Sequence, residues 1–537
     1  MDETQAPLLD TSNHARKRNW KTVLEDKWRA IRLSLREPTH RNLVIMATFI
    51  GIISGLISLA YSYSLDRLLH GTWKWFPETV LLPLLEKAHA RWEWFPAPTN
   101  VGWIYTVFVA SLFGATAGMM QILVGDPGDM PSTFQTVHSE GIIPIKTAPA
   151  MYLCSTFSIV AGASVGPEAP VLAVCGAAIS WLSQVVMGHS GQMLKSCTLM
   201  GMAAGLTSLF GVSFGGAVFA FEVLHTNGLQ YYETLPYGVF ASILCLAVHR
   251  GLWNLEPFGQ IWTFEEVLQE TDTRHIGAGF LIGLLAIVLT LMFQQLFAFF
   301  KSLWGKLGLV DCKRPVVTGL VGGIVVGIIG VFLPATMFWS EFEMGTVADD
   351  SVPLEHVWPK GGFWGLTPFR RGRYTMGLWF LLGFVKLVTI TASVVSGLRG
   401  GFIFPLMFAG ACIGQGLAAI PGIPWWSALP SSLIALSLGG AFTTGITRTP
   451  FACTLILSML SGIPQATVPT LVACLVTFFG TMDRPFFKTQ QNRPDIVILE
   501  AASSEAQASP VCGGGKRDIE SHPPMQPRRS DSVQSYR

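Results

Sequence analysis

This chain has little charge. Of 537 residues only 13% are Asp, Glu, Lys or Arg, half are hydrophobic, and the mean hydropathy is +0.45. That balance excludes a set of soluble domains and points to an all-α polytopic membrane protein. No disulfide framework is apparent. Of the nine cysteines, Cys154, Cys175, Cys197, Cys245, Cys412, Cys453 and Cys474 fall inside apolar segments, where they read as small core hydrophobes. A phosphate-binding loop is missing too, because Cys512-Gly-Gly-Gly-Lys516 lies in a polar stretch and lacks the spacing, so nothing supports ATP-driven work. No short apolar stretch with a cleavage site precedes the basic N-terminal residues, and no signal peptide is expected. Neither a cofactor nor a metal is expected, and a net charge of +2 gives no reason to expect a nucleic-acid partner.

What the chain does have is long apolar sequence with a lone carboxylate in it. Between Lys146 and Lys195 the one formal charge is Glu168, inside the helix-breaking cluster Gly166-Pro167-Glu168-Ala169-Pro170. An ionised side chain at mid-membrane costs about 2.5–3.5 kcal/mol or more, so such a residue faces a water-filled path or a partner. Proline suits the first position of a helix, which sets Glu168 in a first turn whose free N–H groups attract negative charge. A helix that starts inside the membrane is an anion site. The competing reading is a capping carboxylate worth ~0.3–1 kcal/mol with no other role.

The broken element occurs twice. Gly166 through Pro170, running on to Ile179, aligns without gaps with Gly401-Phe402-Ile403-Phe404-Pro405, running on to Gly414, at an offset of 401 − 166 = 235. Downstream, Gly201 to Ser208 aligns with Ser437 to Thr444 at 437 − 201 = 236. Paired Gly/Pro-interrupted apolar segments in corresponding halves point to a binding site between two membrane repeats. The repeats are expected over roughly 101–253 and 315–488.

Basic residues from Arg16 to Arg41 precede the first long apolar run, which by the positive-inside rule sets the N-terminus in the cytosol. Residues 1–40 then form a cytosolic segment with a basic amphipathic surface helix over 20–36, and 41–488 form the membrane domain. Residues 489–537, polar and rich in Ser, Pro and Gly, read as a disordered cytosolic tail. Apolar segments fall at 43–69, 102–124, 147–165, 167–187, 193–211, 213–225, 232–250, 274–304, 315–334, 374–397, 402–420, 427–446, 451–461 and 464–482. Several are too short for ~30 Å of hydrocarbon, which takes about 20 residues, so tilted, half-length and re-entrant helices are expected. Trp73, Trp75, Trp92 and Trp94 suit an aromatic belt at the membrane surface over 71–100. Lys301, Lys306, Lys313 and Arg314 mark a cytosolic loop, and the acidic loop 335–373 is expected on the other side. Which membrane holds the chain is left open.

Together these motifs resemble the CLC family of chloride channels and anion/proton exchangers, over roughly residues 40–488. Gly166 to Pro170 is similar to that family's G-[KR]-E-G-P, with Pro167 and Ala169 as departures. Gly400 to Pro405 is similar to its G-x-F-x-P region, and Ala203 to Phe210 with Phe219 to Glu222 resembles the helix pair between them. The resemblance implies an inverted-repeat fold, a homodimer in the lipid bilayer with one pore per subunit, and chloride or similar small monovalent anions held at helix N-termini. Carried over by position, Glu168 is the gating glutamate, with Gly166 and Pro167 beside it in the anion site, and Phe402 and Ile403 offer backbone N–H groups to a central anion. The family's G-x-G-x-P loop falls on Pro127 to Pro131. There Gly128 stands for the usual Ser or Pro, next to Asp129 and Met130, and Asp129 would repel anions unless it is protonated, turned away or paired. Phe487 stands where a Tyr is usual. Two side-chain donors are thereby lost, each worth ~1.5–3 kcal/mol toward a charged acceptor, which leaves the preferred anion open.

The family's exchangers carry a proton-relay glutamate immediately after the position of Glu222, and here that residue is Val223. A passive anion channel with a glutamate gate is therefore expected. The alternative is an anion/proton exchanger, for chloride or nitrate, with a substitute relay such as Glu222. Lys386, the other charge inside an apolar span, either raises the local anion concentration or belongs to a structural pair. From a different class, Gly211-Val212-Ser213-Phe214-Gly215 matches the nucleophile elbow of hydrolases, which needs a preceding strand and a His partner. Small residues at a helix contact explain it better, and no enzyme activity is expected.

Overall fold

The computed structural model describes residues 38–92, 94, 96–225, 233–253, 261–264, 268–309, 314–341, 343–348, 374–422 and 428–490. The expected N-terminal surface helix, the tail beyond 490 and the acidic loop from 349 to 373 lie outside them. The named elements among the described residues are all helices, with no strand. In chain order the helices are α1 (Pro38–His70), α2 (Leu82–Arg91), α3 (Pro98–Leu123), α4 (Met130–Glu140), α5 (Thr147–Val160), α6 (Glu168–Trp181), α7 (Gly191–Phe210), α8 (Ser213–Glu222) and α9 (Leu235–Trp253). Then follow α10 (Thr273–Lys306), α11 (Pro315–Phe332), α12 (Met344–Ala348), α13 (Met376–Val395), α14 (Ile403–Ala418), α15 (Ser431–Thr447), α16 (Pro450–Ser461) and α17 (Thr467–Gly480).

Eight helical stretches of the described residues are long and apolar enough to cross a membrane, while α5, α14, α15, α16 and α17 are apolar but shorter. Local chemistry sets many of the ends. Proline opens α3, α11 and α16, where its missing N–H costs nothing. Asp272 caps α10 by accepting from the N–H groups of Arg274 and His275 at 2.8 and 3.2 Å. Between helices, small residues allow the backbones to meet. A Cβ on Gly114 would strike the Gly319 carbonyl, and one on Gly323 would strike that of Ala110, so α3 and α11 pack at backbone distance.

The duplication seen in the sequence is a two-fold relation in the structure. α1 packs on α7 and α9, and α10, which starts 273 − 38 = 235 residues later, packs on α15 and α17. The two halves meet at the repeated break. Gly166 and Gly401 form an antiparallel bridge, each N–H donating to the other's carbonyl at 2.6 and 2.7 Å. A residue that pairs with its own equivalent lies on the axis relating the repeats. The flanking bonds obey the same axis. The backbone N–H of Arg399 donates to Ser158 Oγ at 2.9 Å and that of Ser164 to Ser393 Oγ at 3.0 Å, the serines being 393 − 158 = 235 apart. Gly162 and Gly397, again 235 apart, both take positive φ, 77° and 74°, at the end of the preceding helix.

The segment after α1, where an aromatic belt is expected, is helical, and of its four tryptophans only Trp73 is taken into the protein. The chain stays helical through two π turns, Gly71–Trp75 and Pro77–Leu81, into α2. Trp73 is buried, and its Nε1 donates to the Val160 carbonyl at 2.8 Å, so it anchors the end of α5. Trp75, Trp92 and Trp94 are exposed.

Candidate anion site

Glu168 reaches its place through the break between α5 and α6. α5 stops at Val160, the left-handed Gly162 turns the chain, and the Gly166–Gly401 bridge holds the strand-like segment that Pro167 then turns into α6. The side chain is completely buried. Its Oε1 accepts from the backbone N–H of Phe404 at 3.3 Å, so the carboxylate of α6 sits on the first turn of α14. Oε2 lies over the two bridging glycines. A Cβ on Gly401 would stand 2.5 Å from Oε2 and 3.0 Å from the Ala169 nitrogen, and one on Gly166 would collide with Oε2 and come within 2.8 Å of Trp339 Cβ. The glycines are there because the carboxylate occupies the space that side chains would fill. A negative group held at a helix start by backbone N–H is also the arrangement a small inorganic anion would take.

Trp339 belongs to a strap after α11 that closes over this region. The Phe338 N–H donates to the Gly162 carbonyl at 3.1 Å, and Trp339 Nε1 donates to Glu341 Oε2 at 2.9 Å. Lys386, buried on α13, holds the strap down: its Nζ donates to the carbonyls of Thr336, Met337 and Phe338 at 3.1, 3.1 and 2.8 Å. An ammonium has three N–H donors, and all three are directed at backbone. Of the two readings of Lys386, the geometry favours the structural one, with carbonyls as its hydrogen-bond partners.

On the other side of the break, the Gly125–Pro131 loop is shaped by its two aspartates. Asp126 Oδ1 accepts from the Gly128 N–H at 3.1 Å, and Gly128 takes φ +78°. Asp129 is exposed and caps α4, its carboxylate accepting from Ser132 N–H at 3.0 Å while Ser132 Oγ accepts from its own N–H at 3.0 Å. The repulsive carboxylate is thus engaged at a helix start, and Met130 next to it is partly buried. Phe487 is buried with its ring 5.7 Å from Phe134 of α4 and 5.9 Å from Phe402. The structure therefore joins Phe402 and Phe487 in one aromatic cluster beside the start of α14. Ile403, the first residue of α14, is buried.

Val223 is buried, and its carbonyl accepts from Gln490 Nε2 at 2.7 Å. Glu222 is buried as well, away from Glu168's helix start. Its Oε1 accepts from Phe451 N–H at 3.2 Å and its Oε2 from Ala452 N–H at 2.8 Å, so it caps α16 from across the interface with α8. Ser213 opens α8 after the left-handed Gly211 and one extended residue, Val212, without the strand a nucleophile elbow needs. Three participants escaped the sequence reading: Phe404, Trp339 and the Asp126–Arg399 ion pair at 2.8 Å. Phe404 acts through its backbone, which leaves no trace in residue type.

Residues 113–480 match the family described as voltage gated chloride channel. The chain belongs to that family. Among CLC relatives, a chloride/fluoride channel protein of Pseudomonas syringae pv. tomato is 23% identical over 385 residues, covering 70% of this chain and 76% of that one. The H(+)/Cl(-) exchange transporter ClcA of Yersinia pestis bv. Antiqua is 20% identical over 488 residues, covering 87% and 92%. A crystal structure of a CLC-type fluoride/proton antiporter superposes with a TM-score of 0.64 at 19% identity, over 85% of this chain and 99% of that one. The chain is therefore a membrane-spanning CLC protein with the CLC inverted-repeat fold, in a family of anion transporters.

Proposed function

We propose that this CLC protein is a passive pathway for chloride or a similar small monovalent anion, with Glu168 as its gate and one pore in each subunit of a homodimer. The observation that carries the reading is the Glu168 carboxylate seated on the Phe404 N–H between two glycines, where a permeating anion would bind. Protonation or displacement of the carboxylate would hand that N–H to the anion. Passive flux, rather than exchange, is supported by Val223, an aliphatic side chain at the relay position, and by Glu222, whose oxygens are taken up in capping α16. Both termini are proposed to face the cytosol, from the basic residues before Leu43.

Exchange of the anion for protons is the second reading, favoured by the exchanger and antiporter named among the relatives. Reconstituted protein tests the proposal. Liposomes loaded with chloride should release it on addition of a potassium ionophore, with no dependence on a proton ionophore. Potassium release without anion release would sink the reading.

A further inference from the structure

The two repeats are related in backbone but not in charge. Ser164 and Arg399 are equivalent (399 − 164 = 235), each donating its N–H to the equivalent serine, yet one carries a hydroxyl and the other a guanidinium two residues before Gly401. Arg399 reaches the Gly125–Pro131 loop. Its Nη2 lies 2.8 Å from Asp126 Oδ1, the same oxygen that accepts the Gly128 N–H, while Gln121 Nε2 ties the neighbouring Gly397 carbonyl at 2.7 Å. The arginine side chain is 15% exposed and the aspartate 45%, so the pair reaches the surface of the protein with the guanidinium as its more buried member. A guanidinium offers five N–H donors in a planar fork that suits anions. Asp126 engages Nη2, and the buried Nε–H has no acceptor among the described residues.

Resting on the reading of the chain as an anion transporter, we propose that Arg399 is the anion-receiving residue on the face carrying the Gly125–Pro131 loop, and that Asp126 is its built-in competitor. A small monovalent inorganic anion entering from that face takes the guanidinium's spare donors before passing to the start of α14. Asp126 weakens this capture by neutralising the charge, and in return fixes the loop through Gly128. A purely structural tie would use the same contacts, so the sign of two substitutions separates the possibilities.

The test is single-protein current in planar bilayers, with chloride raised on each face in turn and ionic strength held with an impermeant anion so that screening stays constant. Arg399→Gln should raise the half-saturating chloride on one face by about three- to ten-fold, the effect of losing a charge-assisted donor, with maximal current within about two-fold. Asp126→Asn keeps the oxygen that binds Gly128 N–H and frees the guanidinium, so on the same face it should lower half-saturation by about two-fold or more. Arg399→Lys keeps the charge but loses the fork, and should fall between the wild type and Arg399→Gln. If Arg399→Gln and Asp126→Asn shift half-saturation in the same direction, or neither shifts it, the pair is a structural tie and the proposal is wrong. Absence of anion current in the wild type would instead overturn the transport reading itself.

Discussion

In the proposed gate, the Glu168 side chain and a permeating ion compete for one small volume, and substitution tests that competition. Glu168→Ala should empty the volume, raise anion flux and flatten its dependence on pH. Glu168→Gln should mimic the protonated carboxyl and give the same flattening, with flux measured by chloride efflux across a pH series. Unchanged flux and pH response in both would reduce Glu168 to a helix cap. Gly401→Ala puts a methyl 2.5 Å from Oε2 and should displace the carboxylate, reproducing the flattened pH response without touching an ionisable group. Gly128 and Phe487 behave differently from one another. Gly128→Ser sets a Cβ at φ +78° and 2.5 Å from Ser132 Oγ, which costs about 1–2 kcal/mol in backbone strain and disturbs the α4 cap. It should lower thermal stability in detergent rather than restore a useful hydroxyl. Phe487→Tyr adds its hydroxyl to a ring already in the cluster and is the cleaner probe. Relative permeability for chloride, nitrate and fluoride should move several-fold if that donor reaches the ion, since a hydrogen bond to a charged group is worth ~1.5–3 kcal/mol.

Between elements, the interactions that hold the site are mostly side chain to backbone across large sequence distances. Glu222 at the end of α8 caps α16, so Glu222→Ala leaves the N–H groups of Phe451 and Ala452 without their acceptor. An unsatisfied buried N–H costs ~1–3 kcal/mol, so the variant should lose monodispersity at a lower temperature, while its flux keeps the pH dependence of the wild type. A change in pH dependence at unchanged stability would make Glu222 a proton carrier instead. This partnership also shows the limits of reading the sequence. The starts of α6 and α14 were legible because glycine and proline act locally, and the 235-residue offset already paired Gly166 with Gly401. The bounds of the apolar helices followed from apolar runs to within a few residues, whereas α2, α4 and α12 match none of those runs. The acceptors of Lys386, the donors to Glu222 and the Phe404 N–H were not legible, because backbone groups have no residue-type signature and only the tertiary fold brings them near. The π turns after α1 were hidden for a related reason. Their sequence, rich in tryptophan, does not show which ring turns inward, and only the fold brings Trp73 to the Val160 carbonyl.

For the molecule as a whole, duplication supplies a two-fold scaffold and function resides where the copies differ. The bridge, the two serine bonds and the two left-handed glycines are common to both halves. Glu168 has Ile403 as its counterpart (403 − 168 = 235), so one break carries an acid and the other none. That asymmetry bears on proton coupling. Stoichiometric exchange needs a group that can take up a proton on each side of the anion site, with a route between them. Glu168 supplies one. On the side of α8, Val223 has no titratable atom, and Glu222 would weaken its cap of α16, on the oxygen that is protonated, each time it carried a proton. Transport should therefore be uncoupled. With a fixed chloride gradient, the reversal potential in a planar bilayer should sit at the chloride equilibrium value and stay there when the pH on one side is stepped. An exchanger would shift by a defined fraction of the proton potential, and vesicles would acidify or alkalise as chloride moved. If wild-type protein drives protons uphill from a chloride gradient, the channel reading fails, and Glu222→Gln then asks whether Glu222 carries them: loss of proton movement with chloride flux intact would identify it as the relay.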